Sequence, residues 1–171
     1  MFSVNVQNNI VALRDICQEQ LGSILSWYNM TEDFRFATGV EVPVELEDLE
    51  YRLLQKASGD LDFLLGIYSF FEDKMVGVVT GKIAGSVLWV NTLAVGLEFQ
   101  RKGYGSISVD LLLKHMAVFA GVRSAYLAVA DKNVKGRGFW LRNGFKDAKQ
   151  ACSKVTLDGI RYRVIIMQKR L

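Results

Sequence analysis

Apolar residues recur along the chain with two different spacings, and these spacings predict an ordered series of helices and strands. Spacings of three and four residues, as at Leu21, Ile24, Leu25 and Tyr28, are typical of an amphipathic helix. Short apolar runs bounded by turn residues predict strands instead. Helices are predicted over residues 18–28, 44–56, 106–120 and 131–143. Strands are predicted over residues 11–16, 63–71, 75–83, 87–95, 125–130 and 161–167, with a further strand from Phe145 onward and a segment at Val155–Leu157.

The order of these elements predicts the fold class. The residues before Val11 are expected to form an exposed tail, residues 29–42 are expected to be irregular, and Pro43 fits the first turn of the helix at 44–56. Asp158-Gly159 is a hairpin turn signal before the last strand. The series predicts an α/β (α+β) sandwich with a mixed, mostly antiparallel sheet of about seven strands and helices on both faces. A length of 171 residues is expected to form a single domain over residues 1–171.

The turn after the predicted strand at 87–95 is rich in glycine and leads into the helix at 106–120. Glycines let backbone N–H groups approach an anion, and a helix N-terminus adds the positive end of its dipole. Arg101 and Lys102 supply charge where a pyrophosphate would need it. The pattern G-x-x-x-x-G-K-[ST] is absent, and Ser108 stands where G-x-G-x-x-G needs its third glycine. The turn is therefore a candidate phosphate cradle of another kind.

Composition argues against several other classes of protein. With two cysteines, Cys17 and Cys152, and the single histidine His115, no disulfide framework, zinc cluster or serine-type triad is expected. The apolar runs are shorter than the ~20 residues that span a membrane, and the N-terminus does not read as a signal peptide. We therefore expect a cytoplasmic protein without a metal, acting away from membranes.

Charge is divided unevenly along the chain. Residues 1–60 contain 4 Lys/Arg and 10 Asp/Glu, whereas residues 61–171 contain 17 and 8. Such asymmetry is typical of a protein with two differently charged partners, although two solvated faces of one domain give the same pattern. The aromatic residues lie mostly in apolar strand patterns and not between cations, so no nucleic-acid partner is expected.

Two segments resemble the acetyl-CoA signature of the GNAT (Gcn5-related N-acetyltransferase) family. The first is Gln100-x-x-Gly103-x-Gly105 after the apolar run that ends in Leu93-Ala94-Val95. The second follows the strand at 125–130, where the residues in register with the family are Asn133, Gly136, Phe139, Gly144 and Phe145. The order of elements is similar over essentially the whole chain. The resemblance implies a GNAT-like fold in which the strands at 87–95 and 125–130 run parallel and splay apart in a V.

The resemblance implies an activity and a set of contacts. It implies an N-acetyltransferase that moves an acetyl group from acetyl-CoA to a primary amine, either a small cationic amine or a peptide N-terminus, by direct attack in a ternary complex. The Val95 N–H would stabilise the oxyanion. Family members often form dimers, so the resemblance also implies a homodimer. The residues that would hold the cofactor are Leu93, Ala94, Val95, Gln100, Arg101, Lys102, Gly103, Tyr104, Gly105, Ser106, Asn133, Lys135, Phe139 and Trp140.

Position 140 departs from the family pattern. The family usually has Tyr there, whose hydroxyl serves the leaving thiolate, and this chain has Trp140. An indole N–H is a donor and not a usable acid. The thiolate then leaves unprotonated, another group protonates it, or turnover is weak and the chain is an acyl-CoA binding or sensing protein. No carboxylate lies in the strand just before Val95. A water relay held by Asn91 is one expected route for the amine proton, and the other candidate bases are the carboxylates of Glu98, Glu32, Asp33 and Asp131.

The acceptor is expected near the first two helices. Residues 31–50 carry seven Asp/Glu against Arg35 alone, which favours a cationic amine, although compensation of a helix dipole would also explain them. The residues predicted to bind the acceptor are Trp27, Glu32, Asp33 and Phe34, with core packing as the other interpretation of the aromatic ones.

Overall fold

The computed structural model describes residues 2–40, 42–56, 58–157 and 160–171, without the side chains of residues 31–33, 54–56, 149–157 and 160–162. The strands are β1 Val6–Gln7, β2 Val11–Asp15, β3 Asp62–Ser69, β4 Lys74–Ala84, β5 Val87–Val95, β6 Ser124–Ala130, β7 Lys146–Leu157 and β8 Ile160–Arg170. The helices are α1 Leu21–Asn29, α2 Thr31–Thr38, α3 Leu46–Lys56, α4 Tyr104–Phe119 and α5 Val134–Arg142, with short 3-10 turns at Gln18–Gln20 and Leu97–Phe99. The predicted turn at Asp158-Gly159 lies outside the described residues.

One mixed sheet forms the centre of the molecule. Its eight strands lie in the order β1-β2-β3-β4-β5-β6-β8-β7, and each neighbouring pair is antiparallel except β5 and β6, which are parallel. The predicted fold class is confirmed. The additional strand is β1, which lies in the segment predicted as a tail. Val6 pairs with Leu13 there, and the adjoining Val4 is buried in the core, so the segment is held to the sheet by apolar burial.

Residues 29–42 were wrongly predicted to be irregular, because they contain the helix α2. Phe34 is only 2% exposed, so this helix is stabilised by packing that its polar sequence does not reveal. It ends at Gly39, whose φ of 76° is the left-handed conformation that glycine adopts without strain. The Gly39 N–H donates to the Arg35 carbonyl over 2.8 Å, which satisfies one of the last carbonyls of the helix.

The helix starts also differ from the prediction, and the first three residues predicted for α1 form the 3-10 turn Gln18–Gln20. α3 begins at Leu46 and not at Val44, because the Val44 N–H donates to Asn29 Oδ1 over 2.8 Å and Asn29 Nδ2 donates to the Val44 carbonyl over 3.0 Å. These two bonds hold Val44 to the end of α1. α4 begins earlier, at Tyr104, and α5 begins later, at Val134, because Asn133 caps it from outside.

Helices cover both faces of the sheet. Thr92 and Leu93 are consecutive in β5 and therefore point to opposite faces. Leu93 lies with Leu112 of α4 around a small apolar cavity, whereas Thr92 faces Tyr28 of α1. Burial raises the pKa of Tyr28 to about 12, so its hydroxyl stays protonated in the core. Within the described residues, no helix is both long and apolar enough to cross a membrane.

Candidate active site

The parallel strands β5 and β6 pair over only part of their length. The pairing runs from Val87 opposite Ser124 to Val90 opposite Leu127. β5 then continues to Val95 and β6 to Ala130 without pairing to each other. The strands therefore separate at their C-terminal ends, as the predicted V-shaped splay requires. We call the opening between residues 91–95 and 128–130 the notch.

An extra residue in β5 lies where this separation begins. Val90 is opposite Gly81 of β4, and Thr92 is opposite Thr80, so Asn91 has no partner in β4. A residue inserted in this way forms a β-bulge, which bends its strand and increases its local twist. Asn91 is exposed at this bend. The bulge directly follows Val90, the last residue of β5 that pairs with β6.

The backbone beyond the bulge directs polar groups into the notch. The Gly96 N–H donates to the Val76 carbonyl of β4 over 2.9 Å. Because bonded and non-bonded pairs alternate in an antiparallel ladder, Thr92 and Ala94 also bond to β4, while Leu93 and Val95 direct their N–H and C=O groups away from it. The Val95 carbonyl accepts a bond of 2.9 Å from Gln100 Nε2. The Val95 N–H is thus left to donate into the notch, whereas the backbone groups of Ala94 are used within the sheet.

The turn from Gln100 to Gly103 has the geometry of an anion cradle. Arg101 and Gly103 have φ values of 62° and 88°, both in the left-handed region. The first helical bond of α4 runs from the Ile107 N–H to the Gly103 carbonyl over 3.0 Å. The N–H groups of residues 104–106 therefore have no carbonyl one turn earlier, and they carry the positive end of the helix dipole. The exposed Arg101 adds a full positive charge beside them.

Two predicted side chains of this turn contact the β3–β4 turn. Lys102 Nζ lies 2.8 Å from Glu72 Oε1, and the Tyr104 hydroxyl donates to the same oxygen over 3.2 Å. The hydrogen bond between Lys102 and Glu72 lowers the pKa of the Glu72 carboxyl and raises the pKa of the Lys102 ammonium. Sequence reasoning missed Glu72, which lies 30 residues from Lys102 and carries no local signal of this contact.

The start of α4, the end of β5 and the helix α5 meet at Gly105. A Cβ at Gly105 would lie 3.3 Å from Phe139 Cε2 and 3.7 Å from Val95 Cγ2. The Phe139 ring therefore lies at the base of the cradle. Trp140 follows it, 8% exposed, with ring centroids 5.0 Å from both Phe139 and Phe145 in edge-to-face contacts. The predicted residues Gly105, Phe139 and Trp140 are brought together with Val95.

Asn133 and its neighbours lie at the start of α5. Asn133 Oδ1 accepts the Gly136 N–H over 2.8 Å and caps the helix, so its amide Nδ2 is the group left for another partner. Lys135 is exposed. Arg137 forms an ion pair with Asp147, 2.5 Å from Nη2 to Oδ2. Of these cations, Lys135 is the better placed to meet an added anion.

The predicted acceptor residues lie on the other side of β5. Trp27 is 3% exposed and Phe34 is 2% exposed, so both contribute to the core. A Cβ at Gly96 would lie 2.7 Å from Trp27 Nε1, which places this indole against the end of β5 directly after Val95. The side chains of Glu32 and Asp33 lie outside the described part of the chain. Among the side chains that are described, no group of three or more His, Cys, Asp or Glu is arranged to hold a metal.

Comparison with known proteins identifies the family. The profile of the Acetyltransferase (GNAT) family matches residues 25–145. No curated protein sequence matches significantly. Spermidine N-acetyltransferase from Vibrio cholerae, solved with CoA and spermine, is 18% identical with a TM-score of 0.76, covering 95% of this chain and 96% of its own.

Two further solved structures share the fold. The acetyltransferase of Salmonella typhimurium that modifies the N-terminal serine of ribosomal protein L7/L12 is 15% identical with a TM-score of 0.81, covering 98% of this chain and 99% of its own. The Microcin C7 self immunity acetyltransferase MccE, solved with acetyl-CoA and AMP, is 17% identical with a TM-score of 0.78, covering 96% of this chain and 94% of its own. With a family profile spanning residues 25–145 and a splayed sheet of the same fold, this chain belongs to the GNAT acetyltransferase family.

Proposed function

We propose that this chain transfers an acetyl group from acetyl-CoA to a primary amine by direct attack in a ternary complex. The observation that carries the proposal is the unpaired end of β5, where the Val95 N–H is directed into the notch beside the N-terminus of α4. A free strand edge can accept an extended chain through backbone hydrogen bonds. The amide-containing pantetheine arm of acetyl-CoA has this chemistry, and the backbone of Leu93 would bond to it while the Val95 N–H meets the thioester carbonyl.

The diphosphate of acetyl-CoA would lie on the turn from Gln100 to Ser106. The left-handed residues Arg101 and Gly103 form the turn that leads into α4, and the N–H groups opening this helix would bind the diphosphate. The Arg101 guanidinium would add a charge-assisted hydrogen bond. Lys135 and the free amide of Asn133, both at the start of α5, would meet the more distant parts of the cofactor.

The chemistry would use the Val95 N–H as an oxyanion donor. The acceptor nitrogen forms a bond to the carbonyl carbon, negative charge develops on the carbonyl oxygen, and the C–S bond then breaks to release the thiolate. One fixed donor at such an oxygen contributes roughly 10²–10³ in rate. The amine also releases a proton, and exposed Asn91 at the bulge would hold a water that carries it to solvent.

The leaving thiolate would have no tyrosine to protonate it. Trp140 is packed between Phe139 and Phe145, and its indole N–H can donate a hydrogen bond to sulfur without transferring a proton. A thiol pKa of ~8.5 makes departure of the thiolate tolerable near neutral pH. The same residue supports a second candidate function, an acyl-CoA binding or sensing protein with little turnover.

The acceptor would be a small cationic amine or a peptide N-terminus. Exposed carboxylates at the start of α3, namely Glu45, Glu47 and Asp48, would favour a cation at this end of the molecule. Two of the solved structures named above are enzymes that act on spermidine or on a ribosomal protein N-terminus, and both acceptors are amines. Trp27 would support this side of the site from the core. A cytoplasmic location and a homodimer remain predictions, and sedimentation of the purified protein would measure the second.

A thiol-release assay with a panel of amines tests the proposal. The panel should include polyamines, small monoamines and peptides with free N-termini, each with acetyl-CoA, while CoA binding is followed by calorimetry. Transfer predicts free CoA in proportion to acetylated amine. Tight CoA binding with no thiol released by any amine would refute acetyl transfer and support the acyl-CoA binding or sensing function. Absence of CoA binding would refute both functions.

A further inference from the structure

A carboxylate outside the predicted site holds two residues of the phosphate turn. Glu72 Oε1 accepts from Lys102 Nζ at 2.8 Å and from the Tyr104 hydroxyl at 3.2 Å. Tyr104 is only 5% exposed and is the first residue of α4. Glu72 therefore connects the β3–β4 turn both to the turn itself and to the helix that follows it.

The turn that Glu72 contacts is conformationally strained. Lys102 lies between two residues with left-handed φ values, and one of them, Arg101, is not glycine. Left-handed backbone at a residue with a Cβ costs free energy, so a turn without external contacts would populate other conformations. Lys102 Nζ also lies 5.5 Å from the centroid of the Phe99 ring, a second contact for the ammonium that pairs with Glu72.

We propose that Glu72 is a positioning residue that keeps the phosphate turn in its binding conformation through Lys102 and Tyr104. Lys102 is then a tether and not a phosphate ligand, and the diphosphate is left to Arg101 and the backbone N–H groups. A pre-formed turn loses less conformational entropy when the anion binds. This inference rests on the proposed function, because acyl-CoA supplies the anion.

A direct contact between Lys102 and the diphosphate predicts the opposite change in CoA affinity when Glu72 loses its charge. If Lys102 contacted the diphosphate, Glu72 would compete for its ammonium, and loss of the carboxylate would tighten CoA binding. If Lys102 is a tether, loss of the carboxylate weakens binding even though a negative charge has been removed. The sign of the change in CoA affinity therefore separates the two roles.

Calorimetry with CoA on the full chain makes this measurement. We expect Glu72→Gln to weaken CoA binding about three- to five-fold, the range of an exposed charged pair. Lys102→Gln should weaken it at least as much, and the double variant should match Lys102→Gln. With an amine acceptor, KM for acetyl-CoA should rise by the same factor as Kd while kcat stays within about twofold.

Asp73→Asn is the matched control. Asp73 is the next residue, it is exposed, and its φ of 49° is tolerated by Asn, so the variant removes the same charge from the same turn. We expect no weakening of CoA binding in this variant. Tighter CoA binding in Glu72→Gln, or an equal change of CoA affinity in Glu72→Gln and Asp73→Asn, would contradict the role of Lys102 as a tether.

Trypsin separates a failure of the tether from a failure of the proposed function. Arg101 and Lys102 are exposed cleavage sites, and cleavage of a native turn requires local opening. Without any CoA, we expect faster cleavage at these sites in Glu72→Gln than in wild type or Asp73→Asn. Faster cleavage in a protein that does not bind CoA would support the tether and refute the proposed function, whereas unchanged cleavage would overturn the tether.

Discussion

Two glycines in the same helix should respond unequally to alanine. Gly136 and Gly138 both lie in α5, and neither has a left-handed φ. A Cβ at Gly136 would lie 2.7 Å from Asn133 Cγ and 2.8 Å from Asn133 Oδ1, distances that no real contact tolerates. A Cβ at Gly138 would lie 3.4 Å from Arg142 Nη1, the end of a flexible side chain. Alanine therefore fits at position 138 and displaces the capping side chain at position 136.

The magnitude follows from the cap. Replacing glycine by alanine in a helix stabilises the folded state by up to about 1 kcal/mol, and both variants share this gain. Gly136→Ala additionally breaks the bond of 2.8 Å from the Gly136 N–H to Asn133 Oδ1. Loss of an N-cap costs about 1 kcal/mol, within a range of roughly 0.5–2 kcal/mol. The free energy of unfolding of Gly138→Ala should thus exceed that of Gly136→Ala by about that amount.

Urea denaturation of the two variants and wild type measures this difference. In a chain of this length, about 1 kcal/mol corresponds to roughly 2–4 °C in Tm, so a thermal scan gives an independent reading. Asn133→Ala in the Gly136→Ala background should cost almost nothing further, because the cap is already lost. Equal stability of Gly136→Ala and Gly138→Ala would refute the assignment of Asn133 as the cap.

Three further changes test the site and the core. Gly103→Ala, at a φ of 88° with only Ile107 Cδ1 near its Cβ at 3.5 Å, should lower stability by about 1 kcal/mol and weaken CoA binding, whereas Gly103→Asn should lose less of both. Trp140→Tyr should raise kcat for acetyl transfer above that of Trp140→Phe at similar KM, because only tyrosine adds a hydroxyl to serve the thiolate. Burial lowers the pKa of His115, so the native state binds fewer protons than the unfolded chain, and stability falls as pH drops below about 6.5. His115→Gln should reduce the loss of stability between about pH 7.5 and 5.5, measured by urea denaturation.

Each of these has a contrary outcome. Equal losses of stability and CoA affinity in Gly103→Ala and Gly103→Asn would show that the left-handed backbone conformation at position 103 determines neither quantity. Equal kcat for Trp140→Tyr and Trp140→Phe would show that protonation of the thiolate does not limit turnover. An unchanged pH profile in His115→Gln would show that other groups account for acid destabilisation.

The features that the sequence predicted well depend on neighbouring residues. The predicted strand at 87–95 coincides with β5, because its apolar run and the polar turn after it are both local signals. The succession of strand, glycine turn and helix around Gln100–Ser106 was also predicted from local signals, and the structure has β5, this turn and α4 in that order. The splay followed from the family resemblance, and the pairing of β5 with β6 confirms it.

The features that the sequence did not reveal depend on distant partners. β1 and α2 are held by burial of Val4 and Phe34, which composition alone does not disclose. The bulge at Asn91 exists only relative to the register of β4. The contact between Glu72 and Lys102 joins two turns that are adjacent only in the folded sheet. Local pattern thus predicted the strand, turn and helix around Gln100–Ser106, and tertiary pairing determined the contacts that this turn makes.

The bulge at Asn91 has a consequence for how such an opening can arise. The nine residues of β5 are opposite only eight partners in β4. A chain without Asn91 could keep all eight partners, and its β5 would have the regular alternation needed to continue beside β6. The backbone N–H and C=O groups of Leu93 and Val95 would then form hydrogen bonds with Ala128 and its neighbours in β6. A difference of one residue in strand length thus separates a closed sheet edge from one that can receive a ligand, and deleting this residue should abolish CoA binding while leaving a folded protein.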